Sequence, residues 1–400
     1  MPIIFFSQQN TLTGSPYSLF GLGTESSSNV GRNSGMGDTG IAMKSDLLLN
    51  VLNPASFADI PKQRFLFDVG IYSELNEIST SRESEIRLTT NFSNINFGFA
   101  LDENSGIGLS LIPKTSVGYS LIGIQTSIEG SNDQYTSNIL GEGGINDLKL
   151  TYGRKFFDIL NLGLYASYNF GKIEENENII AGESFLNIER ENFYSGFRFG
   201  GGLQFEPFKT LQLGFVIDSP SNLKGSRDQR VQKSLDFIPF EVEDENDLDT
   251  PDFKLPLELG TGITYQIKSN FFFNLDYKRK FWDDTKQSDN IGDYVDQDLM
   301  GIGISYTTDP TSLSYLKRIE LRGGFSYNSG YLQVNSEQID SFEGSIGVGL
   351  PFSRFNSVLN ISYSRGLRGS TNGILIQENY NLLNFNLSFN DVWFVKRKFN

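Results

Sequence analysis

The chain has no cysteine and no histidine among its 400 residues. Without cysteine there is no disulfide framework and no thiol chemistry. Without histidine the commonest general base and metal ligand is gone, so histidine triads and histidine-dependent outer-membrane lipases and proteases are excluded. Basic residues are also short: 33 Lys and Arg face 48 Asp and Glu, for a net charge of -15 and a pI of about 4.6. A nucleic-acid partner needs a basic patch, which this balance does not supply. No run reaches the roughly 18 apolar residues of a membrane-spanning helix, and the mean hydropathy is -0.27. No nucleophile–base pair or pair of opposed carboxylates stands out, so no catalytic residue is assigned and the reading is not an enzyme.

What the chain has is aromatics and alternation. Phe (34) and Tyr (17) supply most of a 13% aromatic content. Apolar and polar residues alternate with the two-residue period of a half-buried strand. In the last such segment Leu383, Phe385, Leu387 and Phe389 share one face; Asn384, Asn386, Ser388 and Asn390 share the other. The same split sets Leu359, Ile361 and Tyr363 against Asn360, Ser362 and Ser364, and Phe197, Phe199, Leu203 and Phe205 against Arg198, Gln204 and Glu206. The polar face is rich in Gly, Asn and Ser, which suits a crowded lumen, and the strands approach the length that a tilted spanning strand needs.

Connections between these segments alternate short and long. Asp102–Ser105, Phe157–Asp158, Pro207–Lys209, Lys268–Asn270, Asp309–Thr311 and Pro351–Ser353 read as short turns. Stretches around 74–85, 130–146, 174–192, 219–252, 283–297, 328–338 and 366–377 read as long loops. An even number of strands, about fourteen, with short turns on one side and long loops on the other, describes an all-β transmembrane antiparallel barrel of the bacterial outer membrane. Backbone groups in hydrocarbon must all be paired, so the sheet must close.

Three parts are predicted. Residues 1–7, MPIIFFS, read as the remnant of a signal peptide. Residues 8–60, rich in Gly, Ser and Asn and with room for a helical turn or two over Met43–Leu52, read as a plug in the lumen. Residues 61–400 form the barrel.

The plug carries a resemblance. Gly37-Asp38-Thr39-Gly40-Ile41-Ala42, followed by Asn53-Pro54-Ala55, resembles the hatch of the FadL-type (OMPP1/FadL/TodX) outer-membrane transporters. Ser15-Pro16-Tyr17-Ser18-Leu19-Phe20-Gly21-Leu22-Gly23 is similar to the Bacteroidetes branch of that group. The resemblance implies a fourteen-stranded barrel with an N-terminal hatch. It also implies passive uptake of hydrophobic molecules, such as long-chain fatty acids, that leave sideways through a break in strand three.

Pro113 falls in the third strand, where a missing N–H interrupts the ladder, and is the candidate for that lateral opening. Asn53, Pro54 and Ala55 are the candidate hatch motif, with Pro54 restricting Asn53 to extended geometry. Arg198 and Arg322, on predicted lumenal faces, are candidates for a ligand carboxylate or for ion pairs that fill the lumen. Phe237, Ile238 and Phe240 form an apolar patch inside the acidic stretch 219–252, a candidate mouth-side ligand or partner contact. The acidic run Glu241–Asp252 lacks the spacing of a calcium loop, so it reads as a solvated loop and no metal or cofactor is assigned. The expected partners are outer-membrane lipids and a hydrophobic small molecule. The alternative function is a non-transporting FadL-like accessory or scaffold subunit of an outer-membrane secretion or barrel-assembly complex, which adds other complex subunits as partners.

Overall fold

A computed structural model describes residues 12–26, 30–45, 48–81, 83–127, 134–182, 184–235, 238–289, 291–352 and 357–392. The predicted signal remnant 1–7 lies outside them. The fold is a closed antiparallel barrel of 14 strands. In chain order these are β1 (Arg64–Ser79), β2 (Ser84–Ala100), β3 (Ser105–Ser127), β4 (Gln134–Phe156), β5 (Leu160–Ala181), β6 (Ser184–Phe208), β7 (Leu211–Asp218), β8 (Glu258–Lys268), β9 (Phe271–Lys280), β10 (Gln297–Thr307), β11 (Glu320–Asn328), β12 (Ser341–Pro351), β13 (Val358–Arg368) and β14 (Gln377–Val392). Each pairs with its chain neighbour, and β1 pairs with β14 from Arg64↔Val392 to Ser79↔Gln377, closing the ring.

The usual distribution of polarity is inverted. The polar rows read from the sequence are buried: Asn384, Asn386, Ser388 and Asn390 point inward, while Leu383, Phe385, Leu387 and Phe389 are exposed on the outside. On β6, Phe197 is 65% exposed while its neighbour Arg198 is 2% exposed. An apolar outer belt around a polar interior places hydrocarbon outside and polar groups within. Buried polar groups demand partners, and they find them: the carboxylate of Asp68 accepts from Asn94, Asn96, Asn386 and Ser388.

The predicted alternation of loop lengths takes a different form. Much of the sequence read as long loops is strand. The stretch 130–146 lies largely in β4, and 174–192 lies in β5 and β6, joined at residues 182–183. The stretch 219–252, including the acidic run read as a solvated loop, forms most of a hairpin, Ser221–Leu235 paired with Ile238–Leu255. Strands β3 to β6 run for 23, 23, 22 and 25 residues, against 9 to 11 for β9 to β13. One side of the barrel therefore rises well past the bilayer on the side away from Arg64 and Val392. Above the membrane neither face meets hydrocarbon, so the alternation that marks a strand fades, yet the hydrogen-bond ladder continues. At the other end most connections are tight. The link between β10 and β11 is longer than the predicted turn at Asp309–Thr311 and contains a four-residue helix, Tyr315–Arg318. There Asp309 accepts from the hydroxyl and N–H of Thr311, which hold its carboxyl below the usual range.

The belt makes a direct prediction. Phe385→Arg, which puts a charge on the lipid face, should cost about 2–4 kcal/mol if it sits near the bilayer midplane. Equilibrium unfolding from lipid vesicles measures this; an unchanged midpoint would mean that this face does not meet hydrocarbon.

Candidate functional site: the lumen and the wall seam

Residues 12–60 pack inside the barrel. The predicted helical turn over Met43–Leu52 is absent from its described residues; short 3-10 helices fall instead at Pro16–Leu19, Asn33–Gly35 and Pro54–Asp59. Asn53 caps the last of these. Its Oδ1 accepts from Ala55 N at 3.0 Å, and its Nδ2 donates to Ile41 O at 2.9 Å and Leu203 O at 3.1 Å. Its backbone is extended (φ -135, ψ 118), as a residue before proline should be. The helix lies so close to the wall that a Cβ on Gly202 would come 2.0 Å from Asn53 Oδ1, and one on Gly163 2.2 Å from the carbonyl carbon of Pro54. Asp276 on β9 accepts from Gly40 N and Ile41 N at 2.7 and 2.8 Å. The Asn53-Pro54-Ala55 motif is thus a set of contacts with β5, β6 and β7.

The outer end of this segment is held under an aromatic cap. Tyr17 and Phe20 cluster with Trp282, Tyr294, Leu332, Val334, Ile339 and Leu375. Trp282 stacks on Tyr331 at 4.7 Å. The Tyr17 hydroxyl donates to Ile376 O at 2.6 Å, and Gly21 N donates to Asp289 at 2.7 Å. Burial pushes the Tyr17 phenol up to about 12, so it stays protonated and donating at neutral pH. Beside the cap, Leu22 packs with Val117, Tyr119, Ile145, Ile173, Leu223 and Leu255 on the raised wall.

Pro113 marks a seam in the wall. Strands β2 and β3 pair only from Ile95↔Leu111 to Ala100↔Gly106. Beyond Leu111 no pairing joins them among the described residues, and β3 itself carries a bulge between Pro113 and Thr115. The freed edge of β3 takes a short strand of the N-terminal segment instead, Thr24↔Ser116 and Glu25↔Thr115, extended by Ser26 N donating to Lys114 O at 2.9 Å. Glu25 is fixed by Lys280, whose Nζ lies 2.7 Å from both carboxylate oxygens, and by Gln297 at 3.0 Å. The sequence offers no signal for this two-residue strand, because nothing in Thr24–Glu25 alternates or repeats.

A cavity of about 230 Å³ reaches both sides of the seam, touching Ser93 and Pro113, and its lining includes Glu25, Glu74, Asp276, Lys278, Glu343 and Arg368. Its lining mixes these charged groups with apolar side chains such as Ile41, Leu52, Met300 and Leu382, and it is smaller than the roughly 300–1,000 Å³ of ordinary small-molecule sites.

The other sequence-derived candidates lie apart from one another. Arg198 sits where β7 and β8 both break, at Ser219-Pro220 and Pro256. Its Nε donates to Ser219 O at 2.8 Å, its Nη2 to Pro256 O at 2.5 Å and its Nη1 to Glu258 at 2.7 Å. It thereby serves carbonyls at the break where the barrel strands give way to the hairpin. Arg322, on β11, donates to Asn360 at 2.8 Å and Glu320 at 2.7 Å, and Glu320 also receives Arg32. Both guanidinium groups are thus buried in ion pairs. Ile238 (70% exposed) and Phe240 (44%) lie at the hairpin tip, away from either arginine, and Phe237 lies outside the described residues.

The closed fourteen-strand barrel has the fold of the FadL-like outer-membrane proteins. CymD, a monoaromatic hydrocarbon channel, matches with a TM-score of 0.60 at 15% identity, over 91% of this chain and 98% of that one. The Pseudomonas putida toluene transporter TodX gives 0.60 at 14%, over 93% and 100%. A Pseudomonas aeruginosa FadL homologue gives 0.60 at 12%, over 90% and 98%. At these identities the likeness carries the fold. No curated protein matches the sequence. The family model described as BamG matches residues 1–400, and the chain belongs to that family.

Two substitutions test the geometry. Arg198→Met strands Glu258 as a buried unpaired carboxylate, and should cost about 3–5 kcal/mol and open the hairpin base to protease near residues 219–221 and 255–257. Gly202→Val should displace the Pro54–Asp59 helix, read as faster proteolysis of residues 12–60 while the β-sheet circular dichroism signal persists. A protease-resistant variant in either case would show that the contact is dispensable.

Proposed function

We propose that this protein is a non-transporting accessory subunit of an outer-membrane barrel-assembly complex, its barrel serving as a scaffold. One observation carries the reading: the lumen is occupied from the aromatic cap at one end to the Pro54–Asp59 helix at the other, and the space that remains is small and charged. A conduit for hydrophobic molecules needs a continuous apolar passage, and Glu74, Glu343 and Lys278 place charges along this one. The Bam name of the family is compatible with a complex subunit. The raised wall of β3 to β6 and the acidic hairpin give such a subunit an ordered surface beyond the bilayer. The exposed Ile238 and Phe240 at the hairpin tip fit a protein contact there.

Passive uptake of hydrophobic molecules is the second reading, favoured by the seam at Pro113 and by the fold shared with hydrocarbon channels. In that reading residues 12–60 act as the hatch, Asn53-Pro54-Ala55 anchors it, and Pro113 keeps the lateral opening unpaired.

Extraction of native membranes without detergent, followed by affinity capture of the full chain, separates the two. Accessory function predicts a stoichiometric complex with other outer-membrane subunits. A lone barrel carrying a hydrophobic molecule would overturn it. The uptake reading predicts that Pro113→Val, by letting β2 and β3 zip further, lowers entry of a hydrophobic probe several-fold; unchanged entry would leave Pro113 without a gating role.

A further inference from the structure

A second lumenal cavity, of about 120 Å³, lies behind the seam and touches Pro113 and Pro54. Cations crowd it: Lys114, Lys149, Arg198, Lys278 and Lys280 all line it. Each carboxylate on its wall has at least one partner, although Asp147 Oδ1 has none. Glu25 is held by Lys280 and Gln297, Glu258 by Arg198, Asp147 by Lys149 at 3.8 Å, and Asp218 by the Tyr165 hydroxyl at 2.7 Å. Asp276, the preceding inward residue on β9, accepts from Gly40 and Ile41 through Oδ2 alone. The ammonium groups of Lys114 and Lys278 make no hydrogen bond or ion pair among the described residues, though both residues line this space.

Both residues are half-buried, and a charge partly withdrawn from water gains from a partner. Five cations against four carboxylates leave this lining positive by one, and two ammonium groups beside one space suit an anion with several oxygens, such as a phosphate group. At about 120 Å³ the cavity has room for such a group. It has no room for an acyl chain, but the seam beside Pro113 gives a chain a way out. Lys114 sits in the bulge of β3 at that seam, so the site is placed to hold either a free phosphate or the head group of a lipid whose tails remain in the bilayer.

We propose that Lys114 and Lys278 form an oxyanion site for a phosphate group at the lumenal side of the β2–β3 seam. Nothing in the site depends on whether the barrel works alone or in a complex.

The test uses the full-length protein purified in phosphate-free detergent, with Lys114→Gln, Lys278→Gln and the charge-preserving Lys278→Arg. Thermal midpoints are measured with inorganic phosphate against chloride at equal ionic strength, and phosphorus retained per barrel is counted before titration. A free-ion site predicts no retained phosphorus and a wild-type midpoint that rises by ~3 °C or more with phosphate. Both Gln variants should lose that rise and Lys278→Arg should keep it. A head-group site predicts about one phosphorus per barrel that survives dialysis, extracts with organic solvent, and falls in the Gln variants. A rise equal in wild type and Gln variants means an adventitious ion only and overturns the proposal. So does the absence of both the rise and retained phosphorus. If the Gln variants do not fold, the wild-type titration and phosphorus count decide alone.

Discussion

The structure depends on one constraint: inside a bilayer every backbone N–H and C=O must find a partner within the protein. Closure of β1 on β14 answers it for most of the ring. Where the ladder is interrupted, something else takes its place. At the β2–β3 seam the chain supplies Thr24–Glu25 as a replacement strand. At the breaks in β7 and β8 the guanidinium of Arg198 reaches two carbonyls that flank the prolines. The two devices differ in chemistry but each compensates for proline in or beside a barrel strand.

The same constraint explains what could be read in advance. Strand β14 was legible because each residue between Leu383 and Asn390 faces either hydrocarbon or the lumen, and side-chain type tracks that choice. The strand count and the membrane followed from such segments, and Pro113 marked the place where pairing stops. The upper halves of β4, β5 and β6 were not legible. Residues such as Glu174, Glu175, Asn176 and Glu177 face water or polar neighbours on both sides, so polarity no longer reports the sheet. The acidic run Glu241–Asp252 reads as a loop on the same ground.

The lumen was legible only in outline. That Arg198 and Arg322 point inward follows from alternation; the full set of groups that binds them does not, because all but Glu320 lie outside their own strands. Glu258 is 60 residues from Arg198, and Glu320 meets Arg32 from 288 residues away. The aromatic cap joins Tyr17 to Leu375 in the same way. A motif such as Asn53-Pro54-Ala55 can be recognised locally, but the glycines that admit it, Gly163 and Gly202, have meaning only once β5 and β6 are brought against it.

The course of residues 12–60 makes the contents of the lumen continuous with the wall. The segment begins beneath the outer cap, passes down the lumen, and runs directly into β1, one of the two strands that close the ring. The pair that closes the barrel is thus also the tether of what fills it.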